Sequence, residues 1–82
     1  MSVISPAQCR AARALLGWSQ DELAKLSKVS KATLANFELD KRTPYDRTLV
    51  DLQIAFEAAG VVFMAEGELI AGGPGVRLRA SD

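Results

Sequence analysis

The sequence predicts a mainly α-helical domain of four to five helices, closed by a short C-terminal β-hairpin. Three observations predict it. Serine-led helix starts recur at Ser5, Ser19 and Ser30, apolar residues behind them recur at helical spacing, and beyond Gly60 the pattern shifts to a period of two.

Ser5-Pro6-Ala7-Gln8 places a capping serine before a proline at the first helical position, with Gln8 set to reach back to it, so a first helix runs from about Pro6 to Leu16 and closes at Gly17. Ser19-Gln20-Asp21-Glu22 repeats the capping pattern. Trp18 can staple onto Leu23, and the second helix runs from about Gln20 to Leu26. Ser30 caps a third, with Val29 and Leu34 at staple spacing and an apolar face continuing through Phe37 to an end near Glu38 or Leu39. Asp40-Lys41-Arg42-Thr43-Pro44 forms a loop. After it Leu49, Leu52, Phe56 and Ala59 predict a fourth helix from about Asp46 to Ala59. Val61 to Met64 is β-branched and aromatic, and Val76-Arg77-Leu78-Arg79 alternates, which predicts two strands, with Glu68-Leu69-Ile70 as a candidate short third. Gly72-Gly73-Pro74-Gly75 is expected to be a turn rather than a phosphate loop, because no helix follows it.

Eighty-two residues predict a single domain overall, with a helical core over residues 1–60 and a hairpin extension over 61–82. Hydrophobic residues at 49% and charged ones at 24% are those of a soluble globular chain. No apolar run is long enough to span a membrane, and residues 1–6 carry no signal sequence, so a cytoplasmic location is expected. The lone Cys9 cannot form an internal disulfide, and without histidine there is no usual zinc site and no Ser-His or Cys-His catalysis. Asp21 with Glu22, and Glu66 with Glu68, are best explained as solvated surface. No enzymatic activity, cofactor or metal is expected. Cys9 is expected to pack in the core and Trp18 to act as a core staple.

Net charge is zero, yet it is segregated along the chain. Residues 1–24 balance. Residues 25–47 carry Lys25, Lys28, Lys31, Lys41, Arg42 and Arg47 against Glu38, Asp40 and Asp46, an excess of three positive charges. Residues 48–82 carry an excess of three negative ones. The basic segment is therefore the place to expect phosphate contacts.

Helices two and three are joined by only about three residues, Ser27-Lys28-Val29, too few for an antiparallel hairpin, so they must cross steeply. Ala24 is small enough for the close approach, and Leu23, Val29, Leu34 and Phe37 fill the shared core. This is a helix-turn-helix, whose second helix enters the major groove of DNA. The stretch from Trp18 to Glu38, continued through Lys41-Arg42-Thr43-Pro44 and the next helix, resembles the Xre or Cro/cI-like helix-turn-helix family over about residues 8–60. The resemblance implies a lambda-repressor-like fold. The chain departs from it at Lys28 and Asp40, where the family usually has glycine in a left-handed backbone.

With Leu34 and Phe37 turned inward, Lys31, Ala32, Thr33 and Asn36 are left on the groove-facing side of helix three as candidate base readers. Asn36 suits adenine, Ala32 and Thr33 suit thymine methyls, and Lys31 suits guanine or phosphate. The resemblance implies that Gln20 contacts a phosphate or an outer base. Ser19 and Lys28 beside it, and Lys41, Arg42 and Arg47 on the other flank, are candidate phosphate contacts.

One recognition helix covers too few base pairs to single out a site, so a homodimer on a palindrome of double-stranded DNA is expected. Val61, Val62, Phe63, Met64, Val76 and Leu78 offer apolar strand surface for its interface. The alternative is that the hairpin folds back on helix four of its own chain. A transcriptional repressor or autoregulator is the leading expectation. The rival is an interaction module that binds a partner regulator or toxin with weak or no DNA affinity.

Overall fold

A computed structural model of the chain describes residues 4–65 and 72–79. The candidate strand at residues 68–70, the Glu66–Glu68 pair and the C-terminal tail lie outside the described residues.

Within them the order is α1 (Pro6–Leu16), α2 (Gln20–Ser27), α3 (Lys31–Glu38), α4 (Asp46–Ala58), β1 (Val61–Met64) and β2 (Gly75–Leu78). The fold is thus mainly helical, with four helices and an antiparallel hairpin. The capping serines act as their spacing predicts. Ser5 Oγ accepts from the Gln8 N–H while Gln8 Oε1 accepts from the Ser5 N–H, and Ser19 and Ser30 accept from the N–H groups of Glu22 and Thr33. Each satisfies a backbone donor that helix geometry leaves free. Gly17 closes α1 at φ 70°.

The core collects Ile4, Cys9, Ala12, Leu23, Val29, Leu34, Phe37, Leu49, Leu52, Phe56 and Val61, with Leu16, Trp18, Ala24, Ala55, Phe63 and Val76 packed against it. Trp18 is part of this core, but its ring partner lies in α4: it stacks on Phe56 with centroids 5.7 Å apart, and Phe63 meets the same Phe56 edge-on at 5.8 Å. Phe56 joins Leu23, the expected staple partner, in the same core cluster, and only local spacing is visible in the sequence.

The hairpin register pairs Val61 with Leu78 and Phe63 with Val76. These four share one face. Val61 is buried, Phe63 and Val76 are half-buried against the core, and β1 lies on α4 while β2 lies on α1. The hairpin therefore folds back onto its own chain. Val62 and Leu78 stay exposed, at 38% and 44%. Gln8 fastens the arrangement, its amide donating to the carbonyl oxygens of Met64 (3.2 Å) and Gly75 (2.9 Å), one from each strand. The segment at Gly72 and Gly73 is a bend leading into β2, in keeping with the expected turn.

Candidate nucleic-acid interface

The turn between α2 and α3 is Lys28-Val29-Ser30. Val29 is buried and acts as a hinge pin. Ser27 Oγ donates to the Leu23 carbonyl (2.7 Å) and accepts from the Val29 N–H (3.2 Å), which holds the chain as it reverses. Lys28 adopts φ 63° and Asp40 φ 60°. These are the two positions at which the family pattern has glycine, so this chain keeps the left-handed backbone and accepts a Cβ there, at roughly 1 kcal/mol per residue.

Helix α3 is anchored at Leu34, Phe37 and Glu38, all buried. The opposite side carries Lys31 and Ala32, exposed, and Thr33 and Asn36, half-buried. The Asn36 side chain makes no hydrogen bond among the described residues, so its amide is free to pair outside the molecule. Thr33 Oγ1 accepts from Ser30 Oγ at 2.8 Å, leaving its methyl available. Lys31 Nζ lies 3.1 Å from Asp21 of α2.

Glu38 closes α3 from within. Arg13 Nε and Nη2 donate to its two carboxylate oxygens, both at 2.8 Å, Gln20 Nε2 donates at 2.9 Å and Cys9 Sγ at 3.1 Å. Arg10 donates to its main-chain carbonyl, and Arg13 Nη1 to the carbonyl of Trp18. Burial alone would push the carboxyl upward, but the hydrogen bonds from Arg13, Gln20 and Cys9 outweigh it and hold Glu38 below its usual range, hence ionised. Gln20 begins α2 and Glu38 ends α3, so their bond spans the helix-turn-helix and fixes how the two helices cross. Gln20 is thus tied into the protein by one amide hydrogen, with its carbonyl and second hydrogen left over.

The phosphate candidates flank this surface. Ser19, at the start of α2, and Lys28, in the turn at its end, are exposed. Lys41 and Arg42 are exposed in the loop, and Arg47 is exposed on α4, 3.6 Å from Asp51. An open groove of about 510 Å³ separates α3 from the start of α4. One wall is Ala32, Thr33 and Asn36; the other is Arg42, Thr43, Pro44, Tyr45 and Thr48. The structure thus brings Ala32, Thr33, Asn36 and Arg42 together, while Gln20 and Lys31 lie outside the groove and the hairpin residues belong to another part of the fold.

Two features escape the sequence reading. Glu38, Arg13 and Gln20 meet from three helices, and the available signal was a lone acid on an otherwise apolar helix face. Tyr45, 86% exposed, stands one residue before α4, and the signal was an aromatic directly after the X-Pro loop where no core contact is needed.

A family model described as helix-turn-helix matches residues 10–57, more than half of the chain, over the segment that builds this surface. The chain belongs to the Xre or Cro/cI-like helix-turn-helix family. This membership places it among DNA-binding domains of transcription regulation, a family that is not typically enzymatic. Comparison with curated proteins finds no match. Among the described residues no helix is long and apolar enough to cross a membrane.

Proposed function

We propose that the chain is a sequence-specific transcriptional regulator, a repressor or autoregulator, acting in the cytoplasm as a homodimer on a palindromic operator. The observation that carries this reading is the outer face of α3, where Ala32, Thr33 and an uncommitted Asn36 project from a helix rigidly anchored by Leu34, Phe37 and Glu38. Asn36 pairs with adenine, Ala32 and the Thr33 methyl pack on thymine methyls, and Lys31 exchanges Asp21 for a guanine or a phosphate. Ser19, Gln20 and Lys28 meet the backbone on one side of the recognition helix, and Lys41, Arg42 and Arg47 on the other.

A second copy supplies the other half-site. Because Val61, Phe63 and Val76 are engaged within the chain, the dimer surface we propose is the part of the hairpin left exposed, at Val62 and Leu78.

Selection of bound duplexes from a random pool, followed by mobility shift with salt titration, tests the reading. Asn36→Ala should relax preference at particular base positions, whereas Lys41→Ala should weaken all sites alike and reduce the salt slope by about one. Absence of any salt-dependent DNA binding by the intact chain would overturn the proposal and leave a module that binds a partner regulator or toxin. Sedimentation as a strict monomer at tens of micromolar, with and without DNA, would remove the dimer.

A further inference from the structure

Tyr45 is the most exposed of the large hydrophobic and aromatic side chains among the described residues, at 86%, and it stands on the groove wall opposite the base-reading face of α3. Its main chain is fixed. Pro44 precedes it, and its carbonyl accepts from the N–H groups of Thr48 (2.9 Å) and Leu49 (3.1 Å), closing the first turn of α4. Its side chain does not cap that helix, and its hydroxyl makes no hydrogen bond among the described residues. The ring is therefore held out from a rigid base, with two side-chain torsions to order on contact. That is a low entropic cost for a large contact area.

The surroundings say what it contacts. Thr33, Asn36, Thr43 and Thr48 bring neutral polar groups to the groove, and Arg42 brings its only charge. In the chain Asp40 and Asp46 flank Lys41 and Arg42, and Arg47 lies 3.6 Å from Asp51. Charge along this segment is nearly balanced, so neutral groups must add to what Lys41, Arg42 and Arg47 supply to a strand seated here.

We infer that Tyr45 is a positioning residue for DNA: its hydroxyl donates to a backbone phosphate of the half-site while its ring lies against the neighbouring deoxyribose, clamping one strand in the groove. The inference rests on the DNA-binding reading above. The bases of a duplex are stacked out of reach from this side, so the contact sets register and affinity without reading sequence.

The test measures affinity of the full chain for a duplex recovered by selection and for a random-sequence duplex of equal length, across a salt series, with Tyr45→Ala and Tyr45→Phe. Tyr45→Ala should weaken both duplexes by about ten-fold with the salt slope unchanged, because a neutral group displaces no counterion. Tyr45→Phe should lose roughly three- to ten-fold, reporting the hydroxyl. Thermal melting should be little altered by either, since Tyr45 is 86% exposed in the free protein. If the wild-type chain binds the selected duplex and both variants bind it within two-fold, the inference is overturned while the DNA-binding reading stands. If the wild type binds neither duplex, both fall together. A loss confined to the selected duplex would also overturn it, by making Tyr45 a base reader.

Discussion

Arg13 grips Glu38 with two parallel hydrogen bonds of 2.8 Å, joining α1 to the last turn of α3. Glu38 is 3% exposed and also accepts from Gln20 and Cys9. Removing either partner leaves an uncompensated charge in the interior, which costs about 3–5 kcal/mol, a large share of the stability of a domain this size. Glu38→Ala should therefore lower the urea midpoint sharply. Because the native carboxyl lies below its usual range, its contribution is present at neutral pH and is lost as pH falls through the native value. The stability gap between wild type and Glu38→Gln should be widest near pH 7, begin to narrow as pH enters the ordinary carboxylate range, and close only below the depressed native value. A gap constant from pH 7 to pH 3 would show that the ionised form of Glu38 contributes nothing.

The elements themselves were legible because each carries a local signal. Serine caps at 5, 19 and 30, Gly17 after α1, and Leu49, Leu52 and Phe56 at helical spacing mark starts, stops and buried faces, and the structure places all of them so. The outward face of α3 was legible by subtraction once Leu34 and Phe37 were assigned to the core. What escaped depends on distant pairing. Arg13, Gln20 and Glu38 are three unremarkable surface-type residues until the helices cross and bring them together. The stacking of Trp18 on Phe56 was hidden for the same reason. The side on which the hairpin buries its apolar face was undecided in the sequence, since a strand with Val61, Phe63 and Val76 on one face suits a partner as well as its own helices.

Gln8 makes two connections that local sequence separates by more than fifty residues. It completes the α1 capping box with Ser5 and donates to Met64 and Gly75 on the two strands. Gln8→Ala removes the side-chain half of the capping box together with both strand bonds and leaves part-buried acceptors unpaired, at about 1–3 kcal/mol. Hydrogen exchange should quicken at the strand amides Val61–Met64 and Gly75–Leu78 before it does in α2 or α3. Equal acceleration throughout the chain would show that the hairpin is not held separately through Gln8.

Lys31 is restrained by Asp21 at 3.1 Å, in a pair exposed on both sides and therefore weak. A duplex phosphate or guanine must displace Asp21 and also approach its negative charge. Asp21→Asn should strengthen DNA binding by about three- to ten-fold at low salt, with the benefit shrinking as salt rises. Unchanged affinity at all salt concentrations would place Lys31 away from the bound duplex.

Cys9 is fully buried, and its thiol is pushed well above the ordinary cysteine range by burial, then by its hydrogen bond to Glu38 and by that carboxylate's charge, against a smaller opposing effect of Arg13 and Arg10. The native protein therefore holds almost no thiolate. Alkylation by iodoacetamide at pH 8 should proceed only through unfolding and speed up as urea is added. Since the unfolded thiol ionises near pH 8.5, this contribution to stability is intact below that value and declines as pH rises beyond it, a decline that Cys9→Ala should lack.

Lys28 sets the shape of the turn and bears one of the candidate phosphate charges, and the two roles make opposite demands. At φ 63° its Cβ strains a backbone that glycine occupies freely, while its N–H still donates to the Ala24 carbonyl at 2.9 Å to end α2. Lys28→Gly relieves the strain and loosens the unfolded chain slightly, so stability should rise by about 0.5–1 kcal/mol, read as a higher urea midpoint with an unchanged slope. The same change removes a candidate phosphate contact, so DNA affinity should fall and the salt slope drop by about one. Lys28→Ala separates the effects, because it loses the charge and keeps the strain: it should match the glycine variant in salt slope and the wild type in stability. Were the alanine and glycine variants equally stable, the left-handed turn would carry no strain to relieve. Were their salt slopes equal to that of the wild type, Lys28 would lie off the phosphate track.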